Sequence, residues 1–282
     1  MADRDENRTI SSDEYAEFKR QEQAEVFDML SDATQKLLSP DRLKEYADKQ
    51  AQLFRHSVSN VLLIMEQAPE AVWVRSYDDW KKDGVAVLKG EAGIKTLGSY
   101  RFQKEDGTMG MGSRVVTMFD VKQTAIRDFD IGSPSYRKVP DVIMNMYPAS
   151  VEVQDLPNGE LAVYDPKDKL IRVKEGLDPA TKVFVIAREH AIGIMTGNGY
   201  NPRESVLAQA EMSAYILTKH YGFDTPDVDF GKMSAGYPGK EEKEVRGQLG
   251  IIRFSAETID RKVQEALELD RSTRNKEDRE AR

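Results

Sequence analysis

Apolar residues in the first 67 positions recur at helical spacing. The pattern begins after Ser12-Asp13-Glu14, where a serine can cap a helix and acidic side chains suit its first turn. It predicts one helix that ends at Ser39-Pro40, a second over residues 40–54 and a third over residues 57–67. Residues 1–39 are therefore expected to form a helical leader, with a frayed polar start.

Beyond Pro69 the apolar runs become short and alternate with polar positions. Residues 76–80 are typical of a capped helical turn, and Glu105-Asp106-Gly107 has the composition of a hairpin turn. Residues 127–148 contain three prolines and predict a linker with a short helix at Asp141–Met146. Four strands are predicted, at residues 71–74, 85–88, 94–102 and 113–120.

The second half begins near residue 149 with another hairpin signature. Asp165-Pro166-Lys167-Asp168 separates the apolar runs 161–164 and 170–173. Three helices are predicted after it, over residues 178–195, 203–221 and 240–270, and the polar tail that follows is expected to be disordered. These patterns together predict an α+β protein, in which N-terminal helices and a small antiparallel sheet precede a helical part with a β-hairpin.

Composition excludes several classes of protein. The chain has 282 residues and no cysteine, so disulfides, thiolate metal sites and cysteine nucleophiles are excluded. The longest strongly apolar run, Val61–Met65, is far shorter than the roughly 20 residues that cross a bilayer. The first residues alternate acids with bases and do not form a secretory signal. We therefore expect a cytoplasmic protein with no membrane partner.

Charge is distributed unevenly along the chain. The net charge of −8 does not favour nucleic-acid binding, yet residues 81–104 carry six bases against two acids. Aromatic residues lie among and just before these bases, a mixture that single-strand-binding surfaces use to stack bases and contact phosphates. Core packing is the alternative role for the two tryptophans. The candidate DNA-binding residues are Trp73, Arg75, Tyr77, Trp80, Lys81, Lys82, Lys89, Lys95 and Arg101.

A second candidate site lies in the helix predicted over residues 178–195. A zinc peptidase needs two histidines four residues apart, with a glutamate after the first. If Glu189 is that glutamate, the ligand positions hold Arg188 and Ile192; if His190 is the second ligand, the first is an isoleucine. The motif therefore fails in both registers, although a cluster of His190 with Glu211 and His220 stays open. No catalytic residue, metal or other cofactor is predicted.

One combined pattern extends from Phe54 to Thr124. Its members are Phe54, Ser57, Asn60, Leu63-Ile64, Gln67, Pro69, Trp80, Lys89-Gly90-Glu91, Gly93-Ile94, Phe119-Asp120 and Gln123-Thr124. The pattern resembles the N-terminal domain of the ArdC-type antirestriction proteins, in particular a branch found in conjugative and integrative elements. In the second half, Gln209–Tyr215 and Tyr221–Thr225 are also similar to that family.

The resemblance implies a function and a domain plan. It implies a single-stranded-DNA-binding domain at residues 40–130 and a zincin-like metallopeptidase domain at residues 149–228. The second domain is expected to be degenerate, because its metal-site positions hold Arg188, Glu189, His190 and Glu211. Residues 238–282 complete the plan as a helix and tail.

The leading hypothesis is therefore a single-stranded-DNA-binding accessory protein of a mobile element, without enzymatic activity. Its partners would be single-stranded DNA and conjugation or restriction-system proteins. Two alternatives stay open: a zinc-dependent peptidase with an unorthodox ligand set around His190, and a protein-interaction module that binds no nucleic acid.

Overall fold

The computed structural model describes residues 11–126, 138–145, 150–197 and 201–280. The chain forms two compact units, one made of the residues up to Ala33 together with Leu62–Ala125, the other of Thr34–Val61 together with Ile126–Arg282. The predicted segment 40–130 is thus divided between the two units. The predicted α+β class is confirmed.

The first unit contains an antiparallel sheet with the strand order β1-β3-β2. Strands β2 and β3 form a long hairpin, and β1 pairs with the end of β3. The elements of this unit are helices α1 (Ser12–Lys36), α3 (Val58–Gln67) and α4 (Tyr77–Lys82), and strands β1 (Val74–Ser76), β2 (Ile94–Gln103) and β3 (Met109–Asp120); α1 and α3 each continue into the second unit.

Two of the residues that carry the family pattern hold the edges of this sheet in place. The side chain of Gln67 bonds both the N–H and the carbonyl of Lys95, at 2.8 and 2.7 Å, and so satisfies the outer edge of β2. Asp120 accepts hydrogen bonds from the backbone N–H groups of Val72 and Trp73 at 2.7 and 2.9 Å, and Gln123 closes a capping box with it. These polar residues of the pattern are therefore structural.

The second unit is mainly helical. Its small sheet has the order β4-β6-β5, in which β4 is parallel and β5 antiparallel to β6. Hydrogen bonds and ion pairs connect its elements: Asp48 accepts from the hydroxyl of Tyr215 and from Lys219 at 2.6 Å each, and the fully buried Asp260 of α9 pairs at 2.6 Å with Arg55, which follows α2. Its elements are α2 (Pro40–Gln52), α5 (Val139–Val142), β4 (Ser150–Val153), β5 (Ala162–Asp165), β6 (Leu170–Val173), α6 (Pro179–Thr196), α7 (Arg203–His220), α8 (Phe230–Ser234) and α9 (Glu242–Glu280).

Several predicted elements need correction. Residues 85–88 form no strand, only an isolated bridge between Val87 and Thr124, and strand β1 begins at Val74, where the prediction ended it. Strand β3 begins at Met109, four residues before the predicted start, because Gly110 and Gly112 extend the pairing without offering an apolar pattern. Strand β4 was not predicted.

The C-terminal region also differs from its prediction. Helix α9 continues through the polar tail to Glu280, because acids and bases are themselves good helix formers. The helix predicted at Asp141–Met146 overlaps α5 only at its end, because α5 runs from Val139 to Val142 and a 3-10 turn follows at Ile143–Asn145. Met146 and the predicted linker at 127–137 lie outside the described residues. Within the part of the chain that the structure describes, no helix is long and apolar enough to cross a membrane.

Candidate nucleic-acid interface

The outer half of the β2–β3 hairpin is exposed on both faces. Residues from Ser99 to Gln103 on β2 are all exposed, whereas Ile94 and Thr96 at the base of the same strand are buried. Directly paired residues of an antiparallel sheet point to the same face, so the register assigns every side chain of the hairpin to one of two faces. The hairpin therefore offers two different surfaces to solvent.

One surface, here called the aromatic face, carries Tyr100 and Phe102. Tyr100 pairs with Gly112 and Phe102 with Gly110, so each ring lies opposite a residue without a side chain. The two ring centroids are 6.0 Å apart, and the rings are 43% and 42% exposed. Arg114, which pairs with Gly98, points to the same face. None of these three residues is among the predicted DNA-binding residues, although the glycines that alternate opposite them were a usable signal.

The opposite surface, here called the methionine face, carries Met109 and Met111. These side chains are 62% and 64% exposed, and they pair with Gln103 and Arg101. Arg101 is the one predicted DNA-binding residue in this outer half of the hairpin. The two faces thus differ in chemistry: flat rings on one, flexible thioethers on the other.

The three predicted aromatic residues occupy different environments. Trp73 and Tyr77 are 39% and 52% exposed, but Trp80 is only 1% exposed and its indole N–H donates to the carbonyl of Phe119 at 2.9 Å. Trp73 packs edge-on against Trp80 at 5.2 Å, and the guanidinium of Arg75 covers Trp80 at 5.0 Å. Trp80 is therefore a core residue and cannot stack a base, which corrects that part of the prediction.

The predicted cations divide into paired and unpaired groups. Arg75 pairs with Asp83, Lys82 with Asp79 at 3.1 Å, and Lys95 with Glu22 at 2.6 Å. The hydrogen bond from Lys19, reinforced by that from Lys95, holds the pKa of Glu22 below its usual value. Within the described part of the chain, six exposed cations of this unit have no carboxylate partner. Lys122 bonds the backbone carbonyl of Glu70 at 2.7 Å, and the other five have no side-chain partner: Lys81, Lys89, Arg101, Lys104 and Arg114.

The predicted metal-site glutamate is fully enclosed by positive charge. Glu189 is 0% exposed, and Arg203 donates to both of its carboxylate oxygens, at 2.5 and 2.8 Å. Arg188 adds a bond at 2.9 Å, and the backbone N–H of Tyr164 another at 2.9 Å. In return, the bond to Glu189 raises the pKa of Arg203. We call these four residues the Glu189 cluster.

The neighbouring histidines do not complete a metal site. His190 is buried, its Nε2 has no hydrogen-bond partner among the described residues, and burial lowers its pKa to about 4. His220 stacks on Phe54 at 4.0 Å, and Glu211 is half-buried on α7. In the described ranges, no three His, Asp or Glu side chains are grouped so as to hold a metal ion. Because arginines saturate Glu189, these residues do not fit a bound metal.

Comparison with protein families gives one match, which covers most of the first unit together with Thr34–Val61 of the second. Residues 20–126 match the model of the N-terminal domain of anti-restriction factor ArdC. This segment is similar to the N-terminal domain of ArdC. The match covers α1 from Arg20, α3, the whole β1-β3-β2 sheet and the aromatic face, and it confirms the resemblance inferred from the Phe54–Thr124 pattern.

Solved structures extend the likeness to the fold of most of the chain. Two crystal structures of the antirestriction ArdC protein from plasmid R388, one metal-free and one Mn(II)-bound, superpose with TM-scores of 0.54 and 0.53. Each is 14% identical to this chain; the alignments cover 84% and 83% of this chain and 98% of the ArdC structures. At that identity the likeness establishes the fold alone. No curated protein matches the chain significantly.

Proposed function

We propose that this chain is a single-stranded-DNA-binding accessory protein of a mobile element, acting in the cytoplasm in antirestriction or DNA transfer. One observation carries the proposal: exposed aromatic side chains and five exposed cations with no side-chain partner among the described residues lie in one unit, which holds most of the ArdC-like segment. Unpaired cations bind phosphates at little cost, since no existing ion pair has to break. Exposed rings supply the stacking that distinguishes a single strand from a closed duplex.

Fluorescence anisotropy of a labelled oligonucleotide tests this proposal. The full chain should bind a single strand more tightly than the same sequence as a duplex, with an affinity that falls linearly on a log–log salt plot. Failure to bind either oligonucleotide at low salt would overturn the proposal and favour a protein-interaction module instead.

Charge variants locate the phosphate contacts. Replacing Lys81, Lys89 and Arg101 together by Gln should reduce the magnitude of the salt slope by about 2, since each phosphate contact on a single strand contributes about 0.7. The matched control replaces Lys44, Lys240 and Lys262, which form ion pairs in the second unit, by Gln. This control makes the same change in net charge and should keep the wild-type slope.

We further propose that the second unit is a degenerate zincin-type domain without peptidase activity. The Glu189 cluster supports this, because a carboxylate that accepts bonds from two arginines and a backbone N–H cannot also serve as the base of a hydrolytic site. Metal analysis of the purified protein and of a His190→Ala variant tests it. Stoichiometric zinc that disappears in the variant would support the alternative, a peptidase built around His190.

A further inference from the structure

The aromatic face is built differently from an ordinary exposed strand. A Cβ atom placed on Gly112 would lie 2.6 Å from Cζ of Tyr100, and one placed on Gly110 would lie 2.6 Å from Cζ of Phe102. Each ring therefore covers the space that a side chain of the partner strand would fill, and is held against the backbone of that strand. The exposed part of each ring must then lie on the side turned away from the strand.

Nothing in the described part of the same unit uses these rings as core. The strand residues that are buried, Ile94 and Thr96, lie at the base of the hairpin, and burial ends before Ser99. A strand that leaves the core can carry polar side chains on both faces, so two adjacent exposed aromatic rings have no stabilising role that requires their exposure. Their contact with the glycines fixes their orientation and lowers the entropy that a bound ligand would cost them.

The spacing of the rings selects the kind of ligand. Their centroids are 6.0 Å apart with planes inclined by 44°, whereas successive bases within a duplex strand rise by about 3.4 Å. Two neighbouring bases can each cover one ring only if the strand is extended and its bases are unstacked. Arg114, exposed on the same face and without an ion-pair partner in the described ranges, offers a cation for the phosphate beside them.

We infer that Tyr100 and Phe102 form a stacking platform for two successive bases of an extended single strand, with Arg114 as its phosphate contact. This inference rests on the proposed function and assigns it to one face of one hairpin. The methionine face, Trp73 and Tyr77 are then secondary to the platform. Stacking on the rings does not depend on base identity, so the platform should bind oligothymidine and mixed sequences alike.

The deciding experiment compares two double variants of the full chain. Tyr100→Leu with Phe102→Leu keeps apolar side chains over Gly110 and Gly112 but removes the flat rings. Met109→Leu with Met111→Leu makes a matched change on the other face of the same hairpin. We expect the first variant to bind oligothymidine at least about 25-fold more weakly, since each stacked base is worth about 5- to 150-fold. The methionine variant should bind within about twofold of wild type, and circular dichroism should report equal folding for both.

A second probe separates stacking from phosphate contact. The probe is an oligonucleotide of equal length in which every nucleotide is an abasic site. It keeps the phosphates and lacks the bases that would stack on Tyr100 and Phe102. The wild-type chain should lose most of its affinity for this probe, and the Tyr100→Leu, Phe102→Leu variant should bind it as the wild type does. If the wild type binds no oligonucleotide, the proposed function itself fails. If it binds oligothymidine and the two double variants bind equally well, the function stands and the platform is overturned.

Discussion

The exposed half of the hairpin and the Glu189 cluster use charge in opposite ways. On the hairpin, Arg101, Lys104 and Arg114 are exposed and have no carboxylate partner in the described ranges, whereas in the cluster one buried carboxylate is shared by two arginines. A cation without a partner is available to a phosphate; a carboxylate with every lone pair in use is available to nothing. Residue type alone therefore does not identify a binding site, because an arginine can be free to bind a ligand or can be fully occupied by a carboxylate of the protein itself.

Substitutions in the two regions should also differ in their effect on the free energy of unfolding. When an exposed, unpaired cation is removed, no buried group loses a partner, so the free energy of unfolding should be nearly unchanged. Removing one member of a buried ion cluster leaves a buried charge with too few partners. Binding measurements should therefore respond to the hairpin, and stability measurements to the cluster.

The largest effect is expected from Arg203→Met. Glu189 would remain fully buried and would lose two of its hydrogen bonds, so the free energy of unfolding should fall by roughly 3–5 kcal/mol, measured by urea denaturation. Adding Glu189→Leu should restore only part of the loss, because it removes the buried carboxylate but leaves Arg188 and the N–H of Tyr164 without their acceptor.

The control for this prediction is Arg172→Met. Arg172 pairs with Asp165 at 3.0 Å on β5, where both side chains are partly exposed, and its loss should cost no more than about 1 kcal/mol. Equal losses for Arg203→Met and Arg172→Met would mean that the cluster is not a buried, saturated ion pair.

A smaller effect is expected from His190 as the pH falls. Its pKa in the folded protein is about 4, below the ordinary value of 6.5, so the unfolded chain takes up the proton first. The contribution of His190 to stability is complete above pH 6.5 and decreases as the pH falls towards 4. Between pH 7.5 and 4.5 the wild type should lose roughly 2–3 kcal/mol more of its free energy of unfolding than His190→Leu does, as measured by urea denaturation at each pH.

The variant isolates this residue because the other groups that titrate in this range, His220 among them, are present in both proteins. The pKa of His220 is also lowered by burial, so some pH dependence should persist in His190→Leu. Parallel curves for the two proteins would mean that His190 is accessible to protons in the folded state.

Sequence reasoning predicted elements well where a single local rule decides them. The turn at Glu105–Gly107 and the helices α6 and α7 follow from turn composition and periodicity. It could not distinguish Trp80, which is buried, from Trp73, which is 39% exposed, because both lie in similar mixtures of aromatic and charged residues. Which tryptophan is core depends on where α4 packs on the sheet.

The candidate sites were harder to predict for the same reason. Tyr100 and Phe102 continue the alternation of a strand whose first residues are buried, so the sequence gives no sign that the core ends before Ser99. The bond between Glu189 and Arg203 joins α6 to α7 across their connection, and periodicity contains no information about such a pair. The sequence indicated which regions are rich in aromatic and charged residues, but it did not indicate which charged residues pair with one another.

The smallest expected effect concerns Lys95, which lies between the two situations compared above. Its side chain is 38% exposed but its ammonium pairs with Glu22 on α1 at 2.6 Å, so it is a cation of the proposed DNA-binding unit that already has a carboxylate partner. Glu22→Gln should release Lys95 for a phosphate and raise the magnitude of the log–log salt slope for single-stranded DNA by about 0.7.

Glu25→Gln is the matched control. Glu25 also lies on α1 and lines the same cleft as Glu22 and Lys95, and its replacement makes the same change in net charge. Equal slopes for the two variants would mean that Lys95 does not reach the strand and that only the overall charge of α1 acts on binding. A steeper slope in Glu22→Gln alone would mean that an internal carboxylate competes with DNA for a cation of this unit.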